Sequence, residues 1–188
     1  MSSELARVLR RIKPEKPIVS LNPRSASDLA FLGQTSHLPS KLLYDTTVYI
    51  DILQGRFPRD GEIVLRVADA WHSTVTEAEL CGPLGSLNPA HPGTRQAVKQ
   101  LIAAIERRPA HRTIPPDREI WLEARILVGV LTRLQNYSTS DRRGIFNDAL
   151  LFATARKHGL IVLTRNTRDF DLLQQLESSC GVLFYDRA

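Results

Sequence analysis

Read for the spacing of its apolar positions, the chain switches repeatedly between helical and strand-like periods. "SELARVLRRI" sets Leu5, Val8, Leu9 and Ile12 at helical spacing behind Ser3, a good N-cap. "LLYD" reads as the end of a buried strand, "TVYIDILQGR" as a helix stopping at Gly55, and "DGEIVLRVADAW" as a second helix. "HSTVT" is short and β-branched, hence strand-like, and "TEAELCGPLG" begins another helix. Proline and glycine crowd residues 82–93, which predicts a loop. "RQAVKQLIAAIERR" is amphipathic, and 118–135 predicts a helix with Trp121, Ala124, Leu127, Val128 and Leu131 inward. "GIFNDALLFATARKHG" reads as a helix ended by Gly159, "LIVLT" as a buried strand, "RDFDLLQQL" as a helix and "GVLFY" as a last strand. Strands alternating with helices predict an α/β domain built on a mainly parallel sheet. "KPEKPIVSLNPRSAS", rich in proline and serine, reads as a linker.

Composition changes this picture little. With 188 residues, 43% of them hydrophobic, the chain has material for one domain with an appendage and a real core. No apolar run approaches the roughly 20 residues that span a bilayer. "MSSELARVLRRIK" lacks the apolar stretch of a secretory signal, so the expectation is a cytoplasmic protein with no membrane partner. Two cysteines, Cys81 and Cys180, make no disulfide framework. Charge is more informative. Of the net +5, most sits in residues 1–44, where seven basic residues face three acidic ones. Arg7, Arg10, Arg11, Lys13 and Lys16 form an arm able to attract a polyanion by counterion release, although a solvated basic tail is the plainer explanation.

The candidate chemistry is acidic. In open α/β sheets, ligands bind outside the carboxyl ends of the strands, and four acids fall there. Asp45 follows "LLY", Glu79 lies in the first turn of the helix after "HSTVT", and Asp169 lies in the turn after "LIVLT". Asp148 has only Gly144, Ile145, Leu151 and Phe152 three and four residues away, none able to pair with it. A carboxylate on an apolar helix is costly unless it is paired or binds a metal. Taken singly, three of the four have ordinary explanations. Asp45 reads as a turn residue, Thr76-x-x-Glu79 as a capping box, and Asn166-x-x-Asp169 as a helix start. Their shared sheet edge favours one site.

The blocks "LLYDTTVYIDIL", "HSTVTEAEL" and "FNDALLFATARKHGLIVLTRNTRDFDLL" resemble the PIN-domain ribonucleases, in particular the VapC-type toxins of bacterial toxin–antitoxin pairs. The resemblance implies a PIN-like fold over residues 41–188 behind a basic N-terminal extension, residues 1–40, that compact toxins lack. It also implies that Asp45, Glu79, Asp148 and Asp169 bind Mg²⁺ or Mn²⁺ and carry out catalysis, with Thr46, Thr164 and Asn166 as supports. An RNA substrate, a protein antitoxin and a homodimer follow as expected partners. Rival readings are a catalytically idle PIN-like module that binds RNA or a partner, and a DNA-directed nuclease of related fold.

Other candidates are weaker. Asp51 and Asp171 are possible substitutes in the acidic set but read as solvated helix faces. Cys81 reads as a packed thiol, and "CGPLG" lacks the Lys-Ser/Thr ending of a phosphate loop. His37, His72, His91, His111 and His158 have no metal-like spacing. Trp71 and Trp121 read as core or interface anchors.

Overall fold

The apolar runs Leu42–Tyr44, Val162–Thr164 and Val182–Phe184 show no polar alternation because both faces of their strands are covered. In the computed structural model, which describes residues 3–34 and 40–188 (backbone only for 139–143), these runs become β1 (Lys41–Tyr44), β4 (Ile161–Thr164) and β5 (Gly181–Phe184). With β2 (Asp69–Ser73) and β3 (Thr113–Ile114) they form a five-stranded, all-parallel sheet in the order β3–β2–β1–β4–β5. Successive side chains of β1 enter different cores, as the two-residue period of a strand requires. Leu43 joins Leu127, Leu131, Phe152 and Phe170 on one side, and Leu42 and Tyr44 join Val48, Leu80 and Tyr185 on the other.

Helices cover both faces. Among the described residues, eight α-helices follow in chain order: α1 (Glu4–Ile12), α2 (Thr46–Leu53), α3 (Arg59–Val67), α4 (Thr74–Ser86), α5 (Thr94–Glu106), α6 (Arg118–Gln135), α7 (Thr139–His158) and α8 (Thr167–Leu176). Gly55 and Gly159 stand just past α2 and α7 at φ of 65° and 64°, the left-handed region where glycine carries no Cβ penalty.

Several expectations are corrected. The helix expected through Trp71 ends at Val67, because Ala68 is extended and Asp69 N–H donates to the Ser40 carbonyl as β2 begins. "HSTVT" straddles a boundary. His72 and Ser73 finish the strand, and the Ser73 hydroxyl then accepts from Val75 N–H and caps α4. Helix α4 runs through Gly82, Pro83 and Gly85 to Ser86, so the loop is confined to residues 87–93. Strand β3, two residues before a proline pair, was too short to leave a periodic signal. Trp121 is 47% exposed rather than inward, and Cys81 is exposed rather than packed. Asp51 and Asp171 are fully buried, not solvated. His72 is buried, and burial, aided by Arg108 and Arg112, pushes it down to about 4 and keeps it neutral. His37 lies outside the described residues.

The N-terminal residues lie on the body. Helix α1 begins where Ser3 Oγ accepts from Ala6 N–H, and its Val8 and Ile12 enter the core beside α6. Arg11, read from the sequence as part of a polyanion-binding arm, is committed to Glu123 (2.6 Å) and Glu177 (3.2 Å). Further along, Phe31 pairs with Phe184 at the margin of the sheet. Val8→Ala should therefore cost about 1.5–2 kcal/mol, two buried carbon groups at about 0.8 kcal/mol each plus a small cavity contribution. Urea unfolding of the variant measures this, and an unchanged midpoint would mean that α1 is not docked.

Candidate functional site

The chain passes from β1 outward to β2 and β3, then returns to lay β4 and β5 on the other side of β1. The order therefore reverses between β1 and β4, and the crevice beyond their carboxyl ends is where such sheets bind ligands. Asp45 stands at the end of β1 as the N-cap of α2, and Thr164 ends β4 beside it. Asn166 caps α8, accepting from Asp169 N–H (3.3 Å), so Asp169 lies in the first turn of that helix. Glu79 comes from the second turn of α4, not the first, and Asp148 from the middle of α7.

Asp45 is 3% exposed and receives three neutral donors: Thr46 N–H (2.6 Å), the Thr47 hydroxyl (2.6 Å) and the Thr164 hydroxyl (2.7 Å). Burial raises its carboxyl above the usual range, and those donors oppose the rise. Glu79 accepts from the Thr46 hydroxyl and from Asn147 Nδ2 (2.8 Å). One amide holds the other two acids together, since Asn166 Nδ2 donates to Asp148 (3.0 Å) and to Asp169 (2.9 Å). Asp148 is pushed well above the usual carboxylate range, first by burial and then by the negative charges of Asp45, Asp169 and Glu79. Asp45, Glu79 and Asp169 thus all act on Asp148, and each of the three expected supports hydrogen-bonds at least one of the four acids.

The contrast with the buried acids outside the site is chemical. Asp51 is held by Arg165 and Arg187, Asp171 by Arg24, and Glu123 by Arg11 and Arg156. Among the described residues, none of Asp45, Glu79, Asp148 and Asp169 forms an ion pair. No three acidic, histidine or cysteine side chains among the described residues are grouped to hold a metal ion as they stand.

The capping-box explanation of Glu79 fails, because Ser73 is the cap and the Thr76 hydroxyl points to the Tyr44 carbonyl (3.4 Å). Two polar groups at the site were not anticipated. Thr47 donates to Asp45 and accepts from Arg165 N–H (3.2 Å), and Asn147 holds Glu79. Their positions beside Asp45 and Asp148 in the sequence were the only signal available.

The PIN-domain family profile matches residues 42–175, so the chain belongs to the PIN-domain family, a family of nucleases. Among solved structures, the chain is similar to FitAcB from Neisseria gonorrhoeae at 23% identity, covering 76% of this chain and 96% of that one with a TM-score of 0.53. FitAB bound to the IR36 DNA fragment gives 23% identity, coverages of 77% and 94%, and a TM-score of 0.51. VapBC2 from Rickettsia felis, bound to a DNA fragment from its promoter, gives 14% identity, coverages of 77% and 98%, and a TM-score of 0.54. At these identities the likeness is one of fold. No curated protein matches the chain. Among the described residues, no helix is long and apolar enough to cross a membrane.

Proposed function

We propose that the chain is a metal-dependent endoribonuclease and the toxin of a toxin–antitoxin pair, with residues 41–188 as its nuclease domain and 1–40 as an extension. The observation that carries this reading is the cluster of four carboxylates, Asp45 buried and the other three half-buried, which among the described residues receive only neutral donors, in a protein whose other buried acids pair with arginine. Repulsion among such groups is relieved by a hard divalent cation. Mg²⁺ prefers oxygen ligands, keeps several waters and needs only one or two carboxylates, so a closed cage of three is not required. The all-oxygen donor set of Asp45, Glu79, Asp148 and Asp169 suits Mg²⁺ or Mn²⁺. A bound ion there supplies an activated water and offsets charge on the phosphate.

The chain's own contribution is positioning. Thr46, Thr47 and Thr164 fix the orientation of Asp45 and Glu79, while Asn166 keeps Asp148 and Asp169 together. Burial and the negative charges of Asp45, Asp169 and Glu79 raise the Asp148 carboxyl above its usual range. The fold likeness to the FitAB and VapBC2 complexes supports a protein antitoxin as partner; a homodimer and a cytoplasmic setting belong to the same proposal.

Purified protein should cut RNA with Mg²⁺ or Mn²⁺ and stop when EDTA is added. Cleavage that continues in excess chelator would sink the metal mechanism. RNA binding without cleavage under any divalent ion would favour an idle PIN-like module instead.

A further inference from the structure

Next to the carboxylates, α4, α6 and α7 enclose a cavity of about 330 Å³. Its lining is apolar at Val75, Leu150 and Trp121 and polar at Glu79 and Asn147. Trp121 is 47% exposed, an unusual amount for a large aromatic beside an open cavity. Its ring meets Phe146 with centroids 5.7 Å apart, and Phe146 directly precedes Asn147 and Asp148 on α7. Arg125, one turn beyond Trp121 on α6, lays its guanidinium over the same Phe146 ring at 4.8 Å. Trp121 thus forms part of the cavity wall, and the Phe146 ring packed against it carries the Arg125 guanidinium.

We infer that this cavity receives one unpaired nucleobase of an RNA substrate, stacked on Trp121 beside the phosphate being cut. The inference deepens the ribonuclease reading above and rests on it. Three observations lead there. The volume is at the low end of the about 300–1,000 Å³ of small-ligand pockets, which suits a single planar ring better than a helix or strand of a partner protein. Unstacked bases are held on aromatic faces, and Trp121 supplies one in the cavity wall. Glu79 on the cavity wall repels a phosphate and so favours an uncharged base there. A base inside a duplex cannot reach such a pocket, so the substrate class is single-stranded or looped RNA.

The test uses the full chain in chelator, so that binding is read without cleavage, and a short, unstructured, labelled RNA. Versions of the RNA lacking one base at each position in turn serve as probes. Trp121→Ala should weaken binding by roughly 5- to 150-fold, the range for one base–aromatic stack, and Trp121→Phe should retain most of the affinity. Removing the base at one position should weaken wild-type binding by a similar factor and leave the Trp121→Ala affinity unchanged. Equal affinity for wild type and Trp121→Ala, or base-removal losses that are the same in both proteins, overturns the stacking site while leaving the nuclease reading intact. Unchanged RNA affinity with a smaller assembly mass for Trp121→Ala assigns the patch to a protein interface and overturns it too. A wild type that neither binds nor cuts RNA overturns both readings.

Discussion

Asp148→Asn is expected to lower RNA cleavage by roughly two to three powers of ten while leaving the metal-free fold at least as stable as wild type. The activity loss corresponds to the several kcal/mol that a correctly held cation contributes to the transition state. The stability result follows from the surroundings of Asp148, whose carboxyl sits above its usual range because it is buried and faces Asp45, Asp169 and Glu79. A carboxyl raised in the folded state gives up stability as pH climbs from its unfolded value, about 4, through the higher folded one. In EDTA the advantage of the variant should therefore be absent near pH 3 and grow toward neutrality. Added Mn²⁺ should reverse the order, stabilising wild type by about 2.7 kcal/mol at a hundredfold excess over its dissociation constant and the variant much less. Thermal melts at several pH values, with and without Mn²⁺, measure all of this. A large loss of stability in the variant under every condition would show that Asp148 answers a hidden basic group rather than a cation.

The second large effect is expected at Asp51, which is fully buried. Its two oxygens accept from Arg165 Nε (2.9 Å), the Tyr185 hydroxyl (3.0 Å) and Arg187 Nε (2.8 Å). Burial alone would raise this carboxyl, but the three donors outweigh it and hold the group below its usual value. Asp51→Ala should cost roughly 3 kcal/mol, the low end for breaking a buried ion pair. The low end applies because both arginines, about a third exposed, recover some hydration. A depressed carboxyl contributes stability above its unfolded value and loses it as pH falls through the folded one. The gap between variant and wild type in urea unfolding should thus be full at pH 7 and shrink in acid. A gap that stays constant down to pH 2 would mean that the carboxylate charge is not what matters.

Legibility in the sequence followed the range of the forces involved. Strands β4 and β5 and helix α7 were readable because long apolar runs and a terminal glycine are local signals. Strand β2 was not, since "DAWHS" has polar ends and owes its extension to pairing with β1. Asp45, Glu79, Asp148 and Asp169 could be singled out because each sits near a strand end or on an apolar helix. Asp51 and Asp171 were misread because their partners, Arg165 and Arg187 for one and Arg24 for the other, are more than a hundred residues away. Arg11 was misread for the same reason, its acids lying on α6 and just past α8.

The pairing of Phe31 with Phe184 bears on how this protein can meet others. Leu32 N–H donates to the Phe184 carbonyl and Phe184 N–H to the Ala30 carbonyl, each at 2.8 Å, so the end of β5 is already occupied along its outer margin. At the opposite margin β3 offers only two residues. Among the described residues, neither margin provides the long run of free backbone groups that an added strand needs, which protects the sheet from edge-to-edge aggregation. A protein partner would thereby be directed to helix surfaces, where α2 and α3 present exposed Ile52, Ile63 and Val67.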